Sequence, residues 1–356
     1  MLIPDLDTIM QRHEAWWQRQ ADRPLIQVTA PKTHVPAPEL TADEAYAWFT
    51  DPAVVADRLE REAQNTHYAG DAVPVVFPCS INLVAITAAY LGCPYHIHPY
   101  SMTAWADPII SNWATRRPIA FDCTNKWWQI TERLFEAVGR QAQGRYFIGV
   151  PDLNAPGEVV ARLRGTQELA LDCVEHPDEV RKARQEADAA WLQIWQAASA
   201  LVKTWQDTSM FWLGVCSSKP ATDLQCDFSA MISPAMFNDL FLPGIEQQTR
   251  WVERTIYHLD GPEAIRHLDA LLELPRLTAI QWVPGAGKPP ARHWLPLLKR
   301  IQAAGKGVWV QALPSEVETL LTELQPEGLL LRVSCDTPAE ADALMAQVPR
   351  WMRRRS

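Results

Sequence analysis

The sequence predicts an α/β chain folded as a (β/α)8 TIM barrel with a helical and extended segment in front of it. Three observations carry this prediction. Eight short segments rich in aliphatic and aromatic residues recur along the chain. Helical patterns lie between most of them. In the C-terminal half the strand segments are apolar almost throughout, as expected of parallel strands covered on both faces.

Residues 1–70 are read as an N-terminal extension packed on the barrel, and residues 71–356 as the barrel itself. Within the extension, Ile9, His13, Trp16, Trp17 and Gln20 stand at near-helical spacing over residues 5–21, and an extended Leu25-Ile26-Gln27-Val28-Thr29 follows. Prolines between Pro31 and Pro38 interrupt regular structure, and a second helical pattern runs over residues 42–64. The eight strand segments are 73–77, 145–150, 209–214, 224–228, 254–259, 277–283, 307–312 and 328–334. Helices are expected over 125–142, 177–204, 234–252, 262–273, 292–304, 315–324 and 338–350. Pro177-Asp178-Glu179, Ser233-Pro234 and Thr337-Pro338-Ala339-Glu340 supply start signals for three of them. The interval 214–223 is too short for a helix, which leaves an open doubly wound sheet as the competing topology. No Gly-x-Gly-x-x-Gly follows the first strand, so a dinucleotide fold lacks its fingerprint.

A formal charge of -9 argues against nucleic acid as the main partner, because phosphate binding needs a basic surface. The basic run from Arg350 to Arg355 reads as a solvated tail. Seven scattered cysteines without a Cys-x-x-Cys pair fit reduced thiols. No apolar run reaches the ~20 residues of a membrane span, and Met1-Leu2-Ile3-Pro4-Asp5 has no signal-peptide character. The expectation is a cytoplasmic monomer or homodimer acting on a small molecule, without nucleic acid or membrane partners. Sixteen tryptophans are compatible with a deep, partly apolar pocket and equally with core packing.

The chemistry is expected at the C-terminal ends of the strands. In Arg254-Thr255-Ile256-Tyr257-His258-Leu259-Asp260-Gly261, residues 258 and 260 project to one face. The plainer alternative makes His258 a core histidine and Asp260 the cap of the helix after Pro262. Other strand ends contribute Cys79, Asp152, Trp212, Cys216, Asp227, Trp282, Gln311, Cys335 and Asp336. Cys79 and Cys226 are read as small buried hydrophobes. Zinc accepts His, Cys and carboxylate ligands and keeps a fourth position open in catalytic sites, so His258, Asp260 and Cys335 form a candidate metal set. His96 and His98 form a second i, i+2 pair in a proline-bounded loop, read as a surface or lid element. Without metal, Asp227 and Asp260 at adjacent strand ends suit proton transfer, one carboxylate raising the pKa of the other. Trp212, Trp282, Gln311 and Asp152 are the expected substrate contacts. Neither Gly-x-Ser-x-Gly nor a P-loop occurs.

Four stretches carry a resemblance: Asp227–Pro243 with its Ser233-Pro234-x-x-Phe237, Tyr257–Gly261, Ile280–Gly287 and Leu163–Asp172. Together they resemble the uroporphyrinogen decarboxylase superfamily, in its uncharacterised branch, from about residue 70 onward and most specifically over 223–287. The resemblance implies a (β/α)8 barrel. It extends to zinc-dependent methylcobamide:thiol methyltransferases, whose His-x-Cys…Cys motif is matched at His258 and Cys335, with Asp260 in place of the first cysteine. It therefore implies a zinc site and a corrinoid delivered by a partner protein. The arginine-rich N-terminal signature of authentic uroporphyrinogen decarboxylases is not evident. Three functions stay open: a corrinoid-linked methyltransferase with a thiol-like acceptor, a metal-free carboxy-lyase acting on a small acid or tetrapyrrole, and a ligand-binding barrel without turnover.

Overall fold

The computed structural model describes residues 5–79, 85–98 and 103–353. Its strands are β1 (Leu25–Pro31), β2 (Thr66–Gly70), β3 (Val75–Val76), β4 (Tyr95–His98), β5 (Thr103–Ala106), β6 (Phe147–Ile148), β7 (Ala221–Gln225), β8 (Arg254–Asp260), β9 (Ala279–Val283), β10 (Gly307–Ala312) and β11 (Leu329–Ser334). The central sheet runs in the order β2-β1-β11-β10-β9-β8-β7, parallel except for β2. From β7 to β11 the order follows the sequence without reversal, and the first strand joins the last. A doubly wound sheet would instead reverse its order at a switch point.

Among the described residues the ladders do not close into a barrel. The pair β3–β6 stands as a separate parallel ribbon, and the expected strand 209–214 supplies only isolated bridges, a parallel one between Val150 and Phe211 and an antiparallel one between Ser209 and Ser217. Proline accounts for part of this shortening. Pro74 and Pro78 flank β3 and Pro151 follows the parallel bridge, and proline cannot donate to a ladder.

The boundary expected at residue 70 does not separate an extension from the sheet. β1 is an inner strand, in parallel register with β11 (Val28↔Val333) and antiparallel to β2 (Val28↔Ala69). The helix Leu6–Trp17 in front of it lies at the end of the sheet where the parallel strands begin. Trp17 Nε1 donates to the Cys216 carbonyl (2.8 Å), the Cys216 N–H donates to His13 Nδ1 (3.0 Å), and Arg254 at the start of β8 clasps Glu14 at 2.8 and 2.7 Å. The expected helix over 42–64 is two helices, Ala42–Thr50 and Pro52–Asn65. The break falls where Asp51 accepts the N–H groups of Ala53 and Val54 and Pro52 opens the next turn.

Alternation along the strands divides two cores. Ile26, Val28, Leu224, Tyr257, Leu259, Ile280, Trp282, Val308, Val310, Leu331 and Val333 pack toward the helices. Leu25, Ile256, Ala279, Trp309 and Leu330 occupy the opposite face and pack with Trp16, Trp17, Phe211 and Leu213. This second face becomes polar toward the C-terminal strand ends, and the site lies there. No helix among the described residues is long and apolar enough to cross a membrane.

Candidate metal and substrate site

The β7–β8–β9 register aligns Gln225, His258 and Gln281 in one row, and Asp260 lies one step further toward the strand ends, opposite Val283. Because Gln281 Oε1 can only accept, His258 Nδ1 donates to it, at 2.6 Å. That bond fixes the tautomer and leaves Nε2 with a free lone pair, 4.0 Å from Asp227 Oδ1. The edge of Trp212 packs against the imidazole, with ring centroids 5.5 Å apart at 71°. His258 is thus held on one side by an amide and on another by an indole.

Asp227 reaches the site because β7 ends at Gln225 and the chain turns at once into the 3-10 turn Asp227–Met231. Glu158, from the helix Pro156–Arg164, accepts the Phe228 N–H at 2.9 Å and steadies that turn. One ligand atom from each of Asp227, His258 and Asp260 lies within 4.8 Å of the others. Asp260 does not cap the following turn: Gly261, at φ 79°, occupies the cap position, and no side chain caps it. One imidazole and two carboxylates leave a fourth position open, a donor set that suits zinc and other borderline divalent ions. The free Nε2, with Nδ1 already engaged, is the arrangement that metal-binding histidines require.

The site is strongly acidic. Burial and then the Glu158 carboxylate push Asp227 up to about 7, with Asp260 and Asp152 adding to the rise and His258 opposing it. Burial raises Asp152 as well, against hydrogen bonds from the Asn154 N–H (2.8 Å) and Gln225 Nε2 (3.0 Å) and the charge of His258. Asp223, two residues before Gln225 and on the same strand face, is pushed well above its ordinary range by burial and by Asp152. Glu158 is raised by burial. A divalent cation would relieve this crowding of negative charge.

Among the expected site residues, the structure thus gathers Asp152, Trp212, Asp227, His258 and Asp260. Gln311 lies on the same face of β10, exposed and in register with Arg332 of β11. Two expectations are corrected. Trp282 is odd in the alternation: it points into the helix-side core and meets Trp294 edge-on at 4.9 Å, so it is not a pocket residue. Cys335 is not a member of the metal cluster. It follows Val333 on the helix-side face, its N–H is bonded to the Thr29 carbonyl at 2.8 Å, and burial, Glu340 and Asp336 push its thiol up, which disfavours a ligating thiolate.

The expected buried thiols Cys79 and Cys226 are buried, Cys79 Sγ lying 3.2 Å from Thr131 Oγ1. His96 and His98 lie on β4 of an antiparallel hairpin with β5, not in an irregular loop. His96 bonds Asp107 at 2.7 Å and stacks on the exposed Trp105; Pro99 and Tyr100 lie outside the described residues. Gln281, Asp223, Gln225, Glu158 and Arg332 were not anticipated as site residues. For Gln225, Gln281 and Arg332 the signal was present, each a polar residue set between apolar ones at alternate positions; Asp223, preceded by Thr222, carried no such signal.

No family model matches the chain. No curated protein matches it either. Among solved structures, a methyltransferase from Methanosarcina mazei is similar over 96% of this chain and 98% of its own, with a TM-score of 0.64 and 13% identity. At that identity the likeness is one of fold: an α/β chain with many helices around a mostly parallel central sheet.

Proposed function

We infer that the chain is a methyltransferase-like enzyme in which Asp227, His258 and Asp260 hold a divalent metal ion, zinc by donor type, that activates a thiol-like acceptor. The observation that carries this reading is the convergence of three ligand atoms within 4.8 Å at the strand ends, with His258 Nε2 left free by the Gln281 bond. Bound there, the ion would lower the acceptor's pKa and present it as a thiolate. The methyl donor is a corrinoid carried by a partner protein. Gln281 and Trp212 hold the imidazole in place. Asp227, the half-exposed carboxylate, is poised to take the acceptor's proton. In the overall exchange an S–H bond breaks and an S–C bond forms, and the proton leaves through the carboxylates. The bond from the methyl carbon to the donor breaks with its electron pair remaining on the donor.

One observation favours a second reading, a metal-free carboxy-lyase acting on a small acid or tetrapyrrole. A carboxyl raised to about 7, as at Asp227, can serve as a general acid near neutrality. The two readings separate in one assay. Purified protein is incubated with methylcobalamin and 2-mercaptoethanol, with and without a strong chelator, and methyl thioether is quantified. The expected result is turnover abolished by the chelator and by His258→Ala. Absence of thioether formation, or turnover indifferent to chelation, would overturn the metal-dependent reading.

A further inference from the structure

The polar face holds a cation that the metal site does not use. Arg332 stands mid-strand in β11 between Leu331 and Val333, which both pack against the helices, so its side chain goes to the opposite face with His258 and Asp260. In register it sits between Gln27 of β1 and Gln311 of β10. Gln27 is itself buried and fixed, its amide nitrogen donating to the Gly214 carbonyl at 2.7 Å, whereas Gln311 is exposed. Arg332 is partly buried, and among the described residues no carboxylate, carbonyl or aromatic ring engages its guanidinium. Burial alone pulls its pKa down, with no acidic neighbour opposing.

Most other partly buried arginines of the chain have partners, as Arg23 with Asp71, Arg116 with Glu186, Arg164 with Asp172 and Arg254 with Glu14; Arg19, beside Gly305 and Gly328 at the opposite ends of the strands, also lacks one among the described residues. A desolvated guanidinium keeps its charge, and leaving it unpaired is costly unless a ligand supplies the partner. Arg332 and Asp260 occupy one register level, three strands apart, with Val283 and Gln311 between them. Three inter-strand steps amount to roughly 14 Å along the sheet. One face of the sheet therefore carries an acidic, metal-competent cluster at β7–β8 and a lone cation at β11.

We propose that Arg332, with Gln311 beside it, binds the anionic end group of the substrate, an oxyanion such as a carboxylate, while the other end of the same molecule lies at the Asp227–His258–Asp260 cluster. The substrate is on this account a small two-ended molecule, an acid at one end and the reacting group at the other. That the reacting end is a thiol rests on the function proposed above. The anion subsite does not. Planar, bidentate recognition of a carboxylate is the chemistry for which arginine is suited.

The test is calorimetric titration of the purified protein with mercaptoacetate, 3-mercaptopropionate and 5-mercaptopentanoate. Each is compared with its amide, its phosphonate analogue and the corresponding thiol-free acid. At least one acid is expected to bind about tenfold or more tightly than its amide, as a charge-assisted pair gives. Arg332→Ala removes that preference, and Arg332→Lys restores part of it. The phosphonate arm distinguishes a carboxylate subsite from a phosphate one. Arg332→Met is expected to melt no lower than wild type, because it removes an unpaired buried charge, so loss of binding is not loss of fold. Acid and amide binding within twofold of each other for every pair, or an acid preference unchanged in Arg332→Ala, overturns the proposal. If thiol-free acids bind as tightly as thiol acids while Arg332 still governs the preference, the metal–thiol reading fails and the anion subsite stands.

Discussion

Gln281 sets the chemistry of the site without touching the reacting centre. Its 2.6 Å bond to His258 Nδ1 decides which imidazole nitrogen is free, and its neighbour Trp282, one residue on, contributes only packing. Outer-shell partners of metal-binding histidines commonly account for 10–100-fold in metal affinity. Gln281→Ala should therefore weaken zinc binding by about that factor in a chelator competition, with the fold intact by circular dichroism. Gln281→Glu, which still accepts from Nδ1–H, should bind zinc at least as well as wild type. Equal affinity for wild type and Gln281→Ala would mean that the bond is incidental. At this scale the sequence was partly legible. His258 and Asp260 follow from strand period alone, because side chains two apart share a face. Asp227 as their partner in a metal set, and Gln281, do not, because both depend on the register between strands. Cys335 was misplaced for a different, local reason: it alternates with Val333, and that parity turns the thiol to the helix side.

Among the elements, the helix Leu6–Trp17 shows how a short amphipathic segment is tied to a sheet by its polar residues. His13 is fully buried, its Nδ1 accepting from the Cys216 N–H and its Nε2 donating to the Asp71 carbonyl at 2.9 Å, which is the pattern of a neutral ring. Burial pulls its pKa below 6.5, with Asp71 and Glu14 opposing. The unfolded chain thus takes up a proton near 6.5 that the folded chain accepts only at lower pH. The helix's contribution is complete above that value and declines as pH falls toward the folded pKa. A His13→Gln variant, which can keep both hydrogen bonds, lacks this titration. The stability of wild type relative to the variant, from urea melts, should shrink as pH drops below 6.5, by at most about 1.4 kcal/mol per pH unit. A gap that stays constant down to the acid limit of folding would refute the assignment. Element legibility varied with length. The seven-residue β8 and the long helix Pro177–Lys203 lie within a residue of their expected positions. The two-residue β3 and β6 do not, because prolines cut their ladders short.

Over the whole molecule, the parallel order β7 to β11 and the junction of β11 with β1 place the ends of these strands at one edge of one sheet. The first thirty residues were legible as a helix and an extended segment but not as part of the sheet. A strand's neighbours are set by long-range contacts that local pattern does not contain. The same geometry gives the polar face its division into an acidic end, where Asp152, Asp227 and Asp260 surround His258 and Asp223 lies beside Asp152, and a cationic end at Arg332. Because three carboxylates crowd one histidine, the metal is expected to depend on the cluster and not on any cysteine. The most direct test is element-resolved metal analysis of purified, undialysed protein, comparing wild type with Asp227→Asn, His258→Ala, Asp260→Asn and Cys335→Ala. The account predicts close to one divalent ion per chain in wild type and in Cys335→Ala, and metal content lost by at least tenfold in each of the other three. Metal-free wild type, or an ion lost with Cys335 and kept without Asp227, would contradict it.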